Sequence, residues 1–288
     1  DLALYDAKTR GRKTASIFNL RMHEEVQERR QLELELRDAL VNGELELHYQ
    51  PLVATQTMQT VGYEALLRWN HPTRGPVSPD QFIPIAEETG QIVQIGEWVL
   101  REALAEAARW PDHLTVSVNL SPVQTMDKEL YGTIVHALAA SAVPAHRLEL
   151  EITETVLMRE CDETIALLHK IRALGVRVAL DDFGTGYSSL NYLRAFPFDK
   201  IKIDRCFVSE MLERADCQAI VRNVIMLARA LGMETTAEGV ETKEQYDWLK
   251  RHGCQEAQGY YISRPMESEL EARPSAAPQD TQPDHRPA

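Results

Sequence analysis

Short runs of apolar and β-branched residues alternate with stretches of helical periodicity along most of the chain. The predicted strands are Glu46–Pro51, Val61–Trp69, Thr115–Leu120, Leu148–Thr153, Arg177–Asp181, Lys200–Asp204, Glu234–Glu238 and Ala257–Tyr261. The predicted helices are Asp80–Glu88, Trp98–Trp110, Leu130–Ala140, Cys161–Leu174, Asp216–Leu231 and Lys243–His252. Eight strands separated by helices are typical of a parallel α/β fold, and their number predicts a closed (β/α)8 barrel. The short connection between the first two strands could let them pair antiparallel.

Composition and periodicity divide the chain into four zones. They are a basic start at 1–19, a linker helix at 20–42, a body at 43–268 and a tail at 269–288. Apolar groups at helical spacing, including Leu32, Leu36 and Leu40, predict the linker helix, and Asn42-Gly43 predicts its end. The tail has four prolines among small and polar residues and few apolar groups to bury, so we expect it to be disordered.

The net charge of the chain limits the kinds of molecule that it is expected to bind. The 288 residues include 31 basic and 44 acidic side chains, for a formal net charge of −13. Surfaces that bind duplex nucleic acid use clustered Lys and Arg, so such a partner is not expected. Four cysteines without a CxxC pair indicate reduced thiols, and no apolar run approaches the length of a membrane span. We expect a cytoplasmic fragment without membrane contact, although a parent protein could carry an anchor upstream.

Several predicted strands end in a charged or amide residue where the strand meets its loop. These residues are Asn119, Glu151, Glu154, Asp181, Asp182 and Glu238, and Glu64 lies within the second strand. Active sites of barrels lie at the C-terminal ends of the strands, so these groups would converge at one mouth. Converging carboxylates repel each other unless a cation lies among them, which predicts a divalent metal site with two ions. Oxygen ligands without a histidine pair favour Mg²⁺ or Mn²⁺.

The alternation of apolar and charged residues along Lys200–Asp204 predicts a positively charged side chain at this mouth. The two isoleucines of the run share one face of the strand, and Lys202 lies on the other face. If the isoleucines pack on the outer helices, Lys202 points into the barrel. A lysine among several acids is unusual for a packed core, but it suits a site that holds a phosphate or activates water for hydrolysis.

Each assignment has an ordinary structural alternative. Glu151 and Glu154 could be solvated strand ends. Lys202 could form a surface salt bridge, and Arg68 could be the ion-pair partner of a nearby acid. For Glu151 and Glu154, the other polar residues that follow strands in the same order along the chain favour a place in the site. For Lys202, the alternation with the isoleucines favours it.

Taken together, the motifs resemble an EAL domain. In the order typical of that family, and across residues 30–266, the chain carries Glu64–Trp69, Ser117–Ser121, Glu151–Glu154, Asp181–Ser189, Lys202–Arg205, Glu238–Glu241 and Gln258–Tyr260. The resemblance implies a TIM-like barrel with one antiparallel strand over 43–268. It also implies a metal-dependent phosphodiesterase that hydrolyses cyclic di-GMP to linear pGpG with the help of two cations.

The resemblance further implies a role for each site residue. Glu64, Asn119, Glu151 and Asp181 would bind one metal, and Asp181 would bridge to a second metal held with Asp182 and Glu238. The catalytic residues would be Glu64, Asp181, Lys202 and Glu238. Lys202 would orient the attacking water or stabilise the transition state, and Glu154 would position the loop Asp181–Ser189.

Substrate contacts follow from the same resemblance. They are implied for Gln50, Arg68, Asp204, Glu241 and Gln258, and for Pro84, which would pack on a guanine from a loop containing Phe82 and Ile83. Arg68 is a natural partner for a phosphate.

The resemblance also suggests neighbours and alternatives. Residues 3–12 are similar to the end of a GGDEF domain, so the start of the chain would be the remnant of an upstream GGDEF domain in the parent protein. Similar domains dimerise close to the loop Asp181–Ser189, and we expect a homodimer. One alternative function is a catalytically silent receptor for cyclic di-GMP. Another is a different metal-dependent barrel enzyme that acts on a sugar or a sugar phosphate.

Overall fold

One sheet organises the part of the chain that the computed structural model describes, which comprises residues 20–158, 161–184, 193 and 196–267. Its strands, in chain order, are β1 (Leu45–Ala54), β2 (Thr60–His71), β3 (Gly75–Val77), β4 (Thr115–Leu120), β5 (Leu148–Thr153), β6 (Arg177–Phe183), β7 (Lys200–Ile203), β8 (Glu234–Ala237), β9 (Glu256–Ala257) and β10 (Met266–Glu267). The basic start and the tail predicted to be disordered lie outside the described residues.

Eight of these strands form a closed barrel. Their order is β1-β9-β8-β7-β6-β5-β4-β2, and pairing of β1 with β2 completes the ring. β1 runs antiparallel to both of its barrel neighbours, whereas all other neighbouring barrel strands are parallel. The short strand β3 pairs with the last residues of β2, and β10 pairs with His48 and Tyr49 in the middle of β1. The predicted TIM-like barrel with one antiparallel strand is therefore confirmed.

Helices cover the outside of the barrel. In the described residues they are Leu20–Ala39, Pro79–Thr89, Ile92–Ala107, Pro122–Thr125, Leu130–Ser141, Glu154–Met158, Cys161–Ala173, Arg205–Glu210, Ala215–Leu231 and Lys243–His252, with a 3-10 turn at Ala145–Arg147. The apolar core lies between these helices and the outward face of the strands, where Ile201 and Ile203 are fully buried. Within this part of the chain, none of the helices combines the length and the apolar character that a bilayer crossing requires.

The linker helix packs along one stripe. Leu32, Leu36 and Ala39 of the helix Leu20–Ala39 are buried, while the charged side chains between Glu28 and Asp38 are exposed or half-buried. The helical run ends at Gly43, which has φ 68°, and Glu44 donates its backbone N–H back to Ala39 O at 2.9 Å. The helix thus joins the barrel core through apolar contacts, as its spacing predicts.

The last barrel strand is shorter than predicted. The predicted strand Ala257–Tyr261 is wrong in extent, since β9 ends at Ala257 and the chain turns away after Gln258. Gly259 has φ 153°, and a Cβ there would lie 2.2 Å from the backbone N and O of Val240. Beyond the end of β9, the hydrogen bond from Val240 N to Gln258 O, at 3.0 Å, takes the place of regular strand pairing. Only glycine allows the two segments to approach so closely.

The segment Phe82-Ile83-Pro84 is helical, as the predicted helix Asp80–Glu88 indicates, so the loop that the family resemblance implied for it is wrong. It lies within Pro79–Thr89, and Phe82 is fully buried with its ring 5.6 Å from that of Trp69. Trp69 in turn donates its indole N–H to Glu44 Oε2 at 3.0 Å. Phe82 is therefore core, whereas Pro84 is exposed on the helix surface and its contact with a guanine stays a prediction.

Replacement of Phe82 by alanine should destabilise the fold. The substitution removes a fully buried ring against Trp69, and such changes cost about 3–5 kcal/mol in the free energy of unfolding. Urea unfolding followed by circular dichroism measures this loss. Met226→Ala, at a side chain that is 63% exposed, is the control and should change the free energy by less than about 0.5 kcal/mol. Equal unfolding midpoints for the two variants would contradict the core assignment.

Candidate active site

Lys202 lies inside the barrel, at the C-terminal end of the parallel strands. It is 1% exposed, and its neighbours Ile201 and Ile203 are buried on the opposite face of β7. The alternation of side chains along a strand sends Lys202 inward when the isoleucines face the helices. The mouth of the barrel therefore contains a buried ammonium group.

Four carboxylates surround this ammonium group. Lys202 Nζ lies 2.5 Å from Glu151 Oε2, and 2.5 Å from Glu238 Oε1. It also lies 3.4 Å from Asp181 Oδ2 and 3.7 Å from Glu64 Oε2. The four acids come from β2, β5, β6 and the end of β8, so the closed barrel brings together residues that are far apart in the sequence.

Two amides fix the orientation of Glu64. Asn119 Nδ2 donates to Glu64 Oε1 at 2.7 Å, and Gln258 Nε2 donates to Glu64 Oε2 at 2.7 Å. Gln258 Nε2 also lies 3.0 Å from Gln50 Oε1, and Gln50 donates to Ser263 O at 3.0 Å. The antiparallel register of β1 places Gln50 directly opposite Glu64. Both oxygens of Glu64 are thus held by neutral donors.

Burial makes most of the acids hard to ionise. It raises the pKa of Glu151 well above its usual value, and repulsion by Glu64 adds to this effect. Burial also raises the pKa of Asp181, that of Asp182 to about 6 and that of Glu238 to about 8. These acids take up protons readily when no cation is bound, because a proton relieves the same repulsion that a metal would relieve.

Glu64 and Lys202 behave differently. Burial opposes ionisation of Glu64, but attraction by Lys202 and the amide hydrogen bonds lower its pKa overall. Burial also opposes the charge on Lys202, yet the surrounding carboxylates, Asp181 first, hold its pKa well above the usual range. The pair therefore keeps both its charges.

The residues at the mouth fit a divalent metal. Carboxylate oxygens of Asp181, Asp182 and Glu238 lie within 4.8 Å of one another. No hydrogen-bond donor among the described residues reaches the buried Oε1 of Glu151. Five carboxylates share the mouth with the single ammonium of Lys202, which leaves a surplus of negative charge. Carboxylate and amide oxygens are the ligands that hard divalent cations prefer.

Glu154 and Asp204 hold backbone beside the mouth. Glu154 Oε1 accepts the N–H of Gly184 at 2.9 Å, just after β6. Residues 185–189 of the predicted loop lie outside the described residues. Asp204 caps the helix Arg205–Glu210 by accepting the N–H of Cys206 at 2.9 Å. A hydrogen bond with Asp204 also contributes to the raised pKa of Asp182, behind burial and repulsion.

Arg68 lies beside the cluster, whereas Glu241 lies at the exposed surface. The half-buried Arg68 donates Nη1 to Leu67 O at 2.9 Å, and no carboxylate of the described chain lies within salt-bridge distance of it. Burial lowers the pKa of its guanidinium. Glu241 is exposed, and its backbone N–H donates to Gln245 Oε1 at 2.8 Å. The structure thus brings most of the predicted site residues together. Arg68 is close enough for Glu64 to act on the pKa of its guanidinium, whereas Pro84 and Glu241 are exposed.

A family model described as the EAL domain matches residues 33–265. The chain belongs to the EAL domain family. A relative, MucR of Pseudomonas aeruginosa, is named a bifunctional diguanylate cyclase/cyclic di-GMP phosphodiesterase. It is 43% identical over 273 residues, which make up 93% of this chain and 40% of MucR. NbdA of the same organism, named a cyclic di-GMP phosphodiesterase, is 41% identical over 269 residues, or 92% of this chain and 34% of NbdA.

Solved structures give the same family. The PaMucR phosphodiesterase in complex with c-di-GMP matches with a TM-score of 0.80 and 44% identity, covering 83% of this chain and 98% of that chain. This EAL domain nevertheless spans only about a third to two fifths of the length of MucR and NbdA.

A second ionic layer lies below the mouth of the EAL domain, and the sequence analysis missed it. Lys200 Nζ lies 2.7 Å from Glu149 Oε1 and 2.7 Å from Glu256 Oε2. The signal was present in the sequence, because Lys200 and Glu149 each precede a mouth residue by two positions on the same strand.

The stability of the metal-free EAL domain should fall as pH rises from about 4.5 to about 8. Burial raises the pKa of Glu238 from about 4.5 in the unfolded chain to about 8 in the folded protein, so folding takes up a proton in this window. Urea midpoints measured in EDTA at several pH values test this. Glu238→Gln should flatten the slope, and Glu213→Gln, at an exposed glutamate, should leave it intact. An unchanged slope in the Glu238 variant would refute the assignment.

Proposed function

We propose that this EAL domain hydrolyses cyclic di-GMP to linear 5′-pGpG with Mg²⁺ or Mn²⁺. The observation that carries the proposal is the convergence of Glu64, Glu151, Asp181 and Glu238 on the ammonium of Lys202. Membership of the EAL family and the names of MucR and NbdA support this choice of substrate.

The reaction adds one water across one phosphodiester bond. The water oxygen bonds to phosphorus, the bond from phosphorus to the 3′-oxygen breaks, and that oxygen takes up a proton. Two divalent cations held at the mouth would supply Lewis acidity towards the phosphate and the attacking water. The residues that we assign as their ligands are Glu64, Asn119, Glu151, Asp181, Asp182 and Glu238.

Lys202 is assigned to charge stabilisation. Its ammonium keeps its proton among the carboxylates and can donate to the attacking water or to the phosphate oxygens as negative charge develops there. Glu154 is assigned to holding the start of the loop through Gly184. Neither side chain needs to leave the position in which it is fixed.

The rim would bind the dianionic substrate. Arg68 forms no salt bridge with the described residues, so its guanidinium is available for a phosphate. The other substrate contacts that we propose are Gln50, Pro84, Asp204, Glu241 and Gln258. The amides of Gln50 and Gln258 already touch each other beside Glu64, within reach of a ligand seated at the mouth.

The setting of the domain is also a proposal. The name of MucR includes a diguanylate cyclase, which supports an upstream GGDEF or sensor domain in the parent protein. A cytoplasmic location and a homodimer complete the proposed setting.

Cyclic di-GMP incubated with the protein and Mn²⁺ should yield pGpG, and EDTA should stop the reaction. Asp181→Asn should reduce turnover by at least about 100-fold, because the amide removes a charge at the centre of the cluster. Chromatography of the nucleotides measures both effects, with Glu213→Gln as the folded control. Binding of cyclic di-GMP without product would instead establish the receptor function.

Arg68→Ala should raise KM about tenfold with a smaller change in kcat, because charge-assisted hydrogen bonds to a phosphate contribute to binding. Steady-state kinetics separate the two constants. The matched control is Arg101→Ala, at an exposed arginine paired with Glu97. If both arginine variants kept the wild-type KM, Arg68 would not bind substrate.

A further inference from the structure

The layer below the mouth is a compact set of ion pairs. Lys200 is 2% exposed and Glu149 is 1% exposed, and Lys200 bridges Glu149 and Glu256 at 2.7 Å each. Ser117 Oγ donates to Glu149 Oε1 at 3.1 Å, and Arg177 Nε lies 3.2 Å from Glu149 Oε2. The Glu149 carboxylate is therefore fixed from three sides.

Two strands of this lower layer, β5 and β7, also contribute charged residues to the mouth. Glu149 lies two residues before Glu151 on β5, and Lys200 lies two residues before Lys202 on β7. Two residues along a strand span roughly 7 Å. Charges at that separation inside a barrel interact strongly, because little water lies between them.

The two layers differ in charge balance. In the lower layer, the buried carboxylate of Glu149 and the largely buried one of Glu256 are matched by the cations of Lys200 and Arg177. Arg177 also pairs with Glu234, whose side chain is 45% exposed and so lies at the solvent edge of the layer. In the mouth, five carboxylates face one ammonium. The surplus negative charge of the barrel interior is thus confined to the end where a cation could bind.

We propose that Glu149 and Lys200 set the affinity of the mouth for divalent cations without touching them. Glu149 contributes negative potential beneath Glu151, and Lys200 offsets that potential while keeping Glu149 away from Lys202. Both are positioning residues, because they act on bound cations only through the carboxylates and Lys202 of the mouth. The inference rests on the proposed function only in that the mouth holds divalent cations.

Isothermal titration with Mn²⁺, without substrate, tests the inference. Glu149→Gln removes a negative charge and should weaken Mn²⁺ binding about fivefold, whereas Lys200→Met removes a positive charge and should strengthen it about fivefold. The double variant E149Q/K200Q replaces the ion pair by two amides and should bind within about twofold of wild type. Circular dichroism in EDTA confirms that each variant is folded.

The outcomes separate the inference from the proposed function. The inference is supported if the Mn²⁺ affinity shifts in opposite directions in the two single variants and returns to the wild-type value in the double variant. A purely structural layer would weaken binding in both single variants, and this result would overturn the inference alone. If Lys200→Met does not fold, restoration of affinity from E149Q to E149Q/K200Q still supports it, and no restoration refutes it. A wild-type protein that binds no Mn²⁺ would overturn the proposed metal dependence as well.

Discussion

Repulsion among buried carboxylates is the constraint on which the rest of this molecule depends. Five acids at one end of a barrel are tolerable only if opposite charge and hydrogen-bond donors are built around them. The ammonium of Lys202 contacts four of them, and two amides hold Glu64. The charge that remains makes the mouth receptive to protons or to divalent cations.

The barrel topology determines which side chains meet at the mouth. Parallel strands bring their C-terminal ends to one rim, which gathers acids from separate parts of the chain. The single antiparallel strand β1 closes the ring and places Gln50 opposite Glu64. Outside the ring, helices such as Pro79–Thr89 pack against the strands through buried aromatic contacts, and this packing supports the mouth from outside.

Sequence reasoning succeeded where the signal was local. The two-residue period located all eight barrel strands and the inward direction of Lys202, because both follow from neighbouring residues. It failed for the lower layer, because the partners of Lys200 lie on β5 and β9, each two strands away from β7, and the spacing within one strand does not say which side chains of other strands it meets. The helical spacing predicted the helix around Phe82, and only the family expectation of a loop at this segment was wrong.

Asp182 has φ 54°, a left-handed conformation that aspartate, asparagine and glycine adopt with least strain. Its codons become asparagine codons by a single base change, and asparagine would keep the backbone while discarding the acid. The geometry of this one residue therefore leaves open an evolutionary route by which an EAL lineage could lose one of the proposed metal ligands yet retain its architecture.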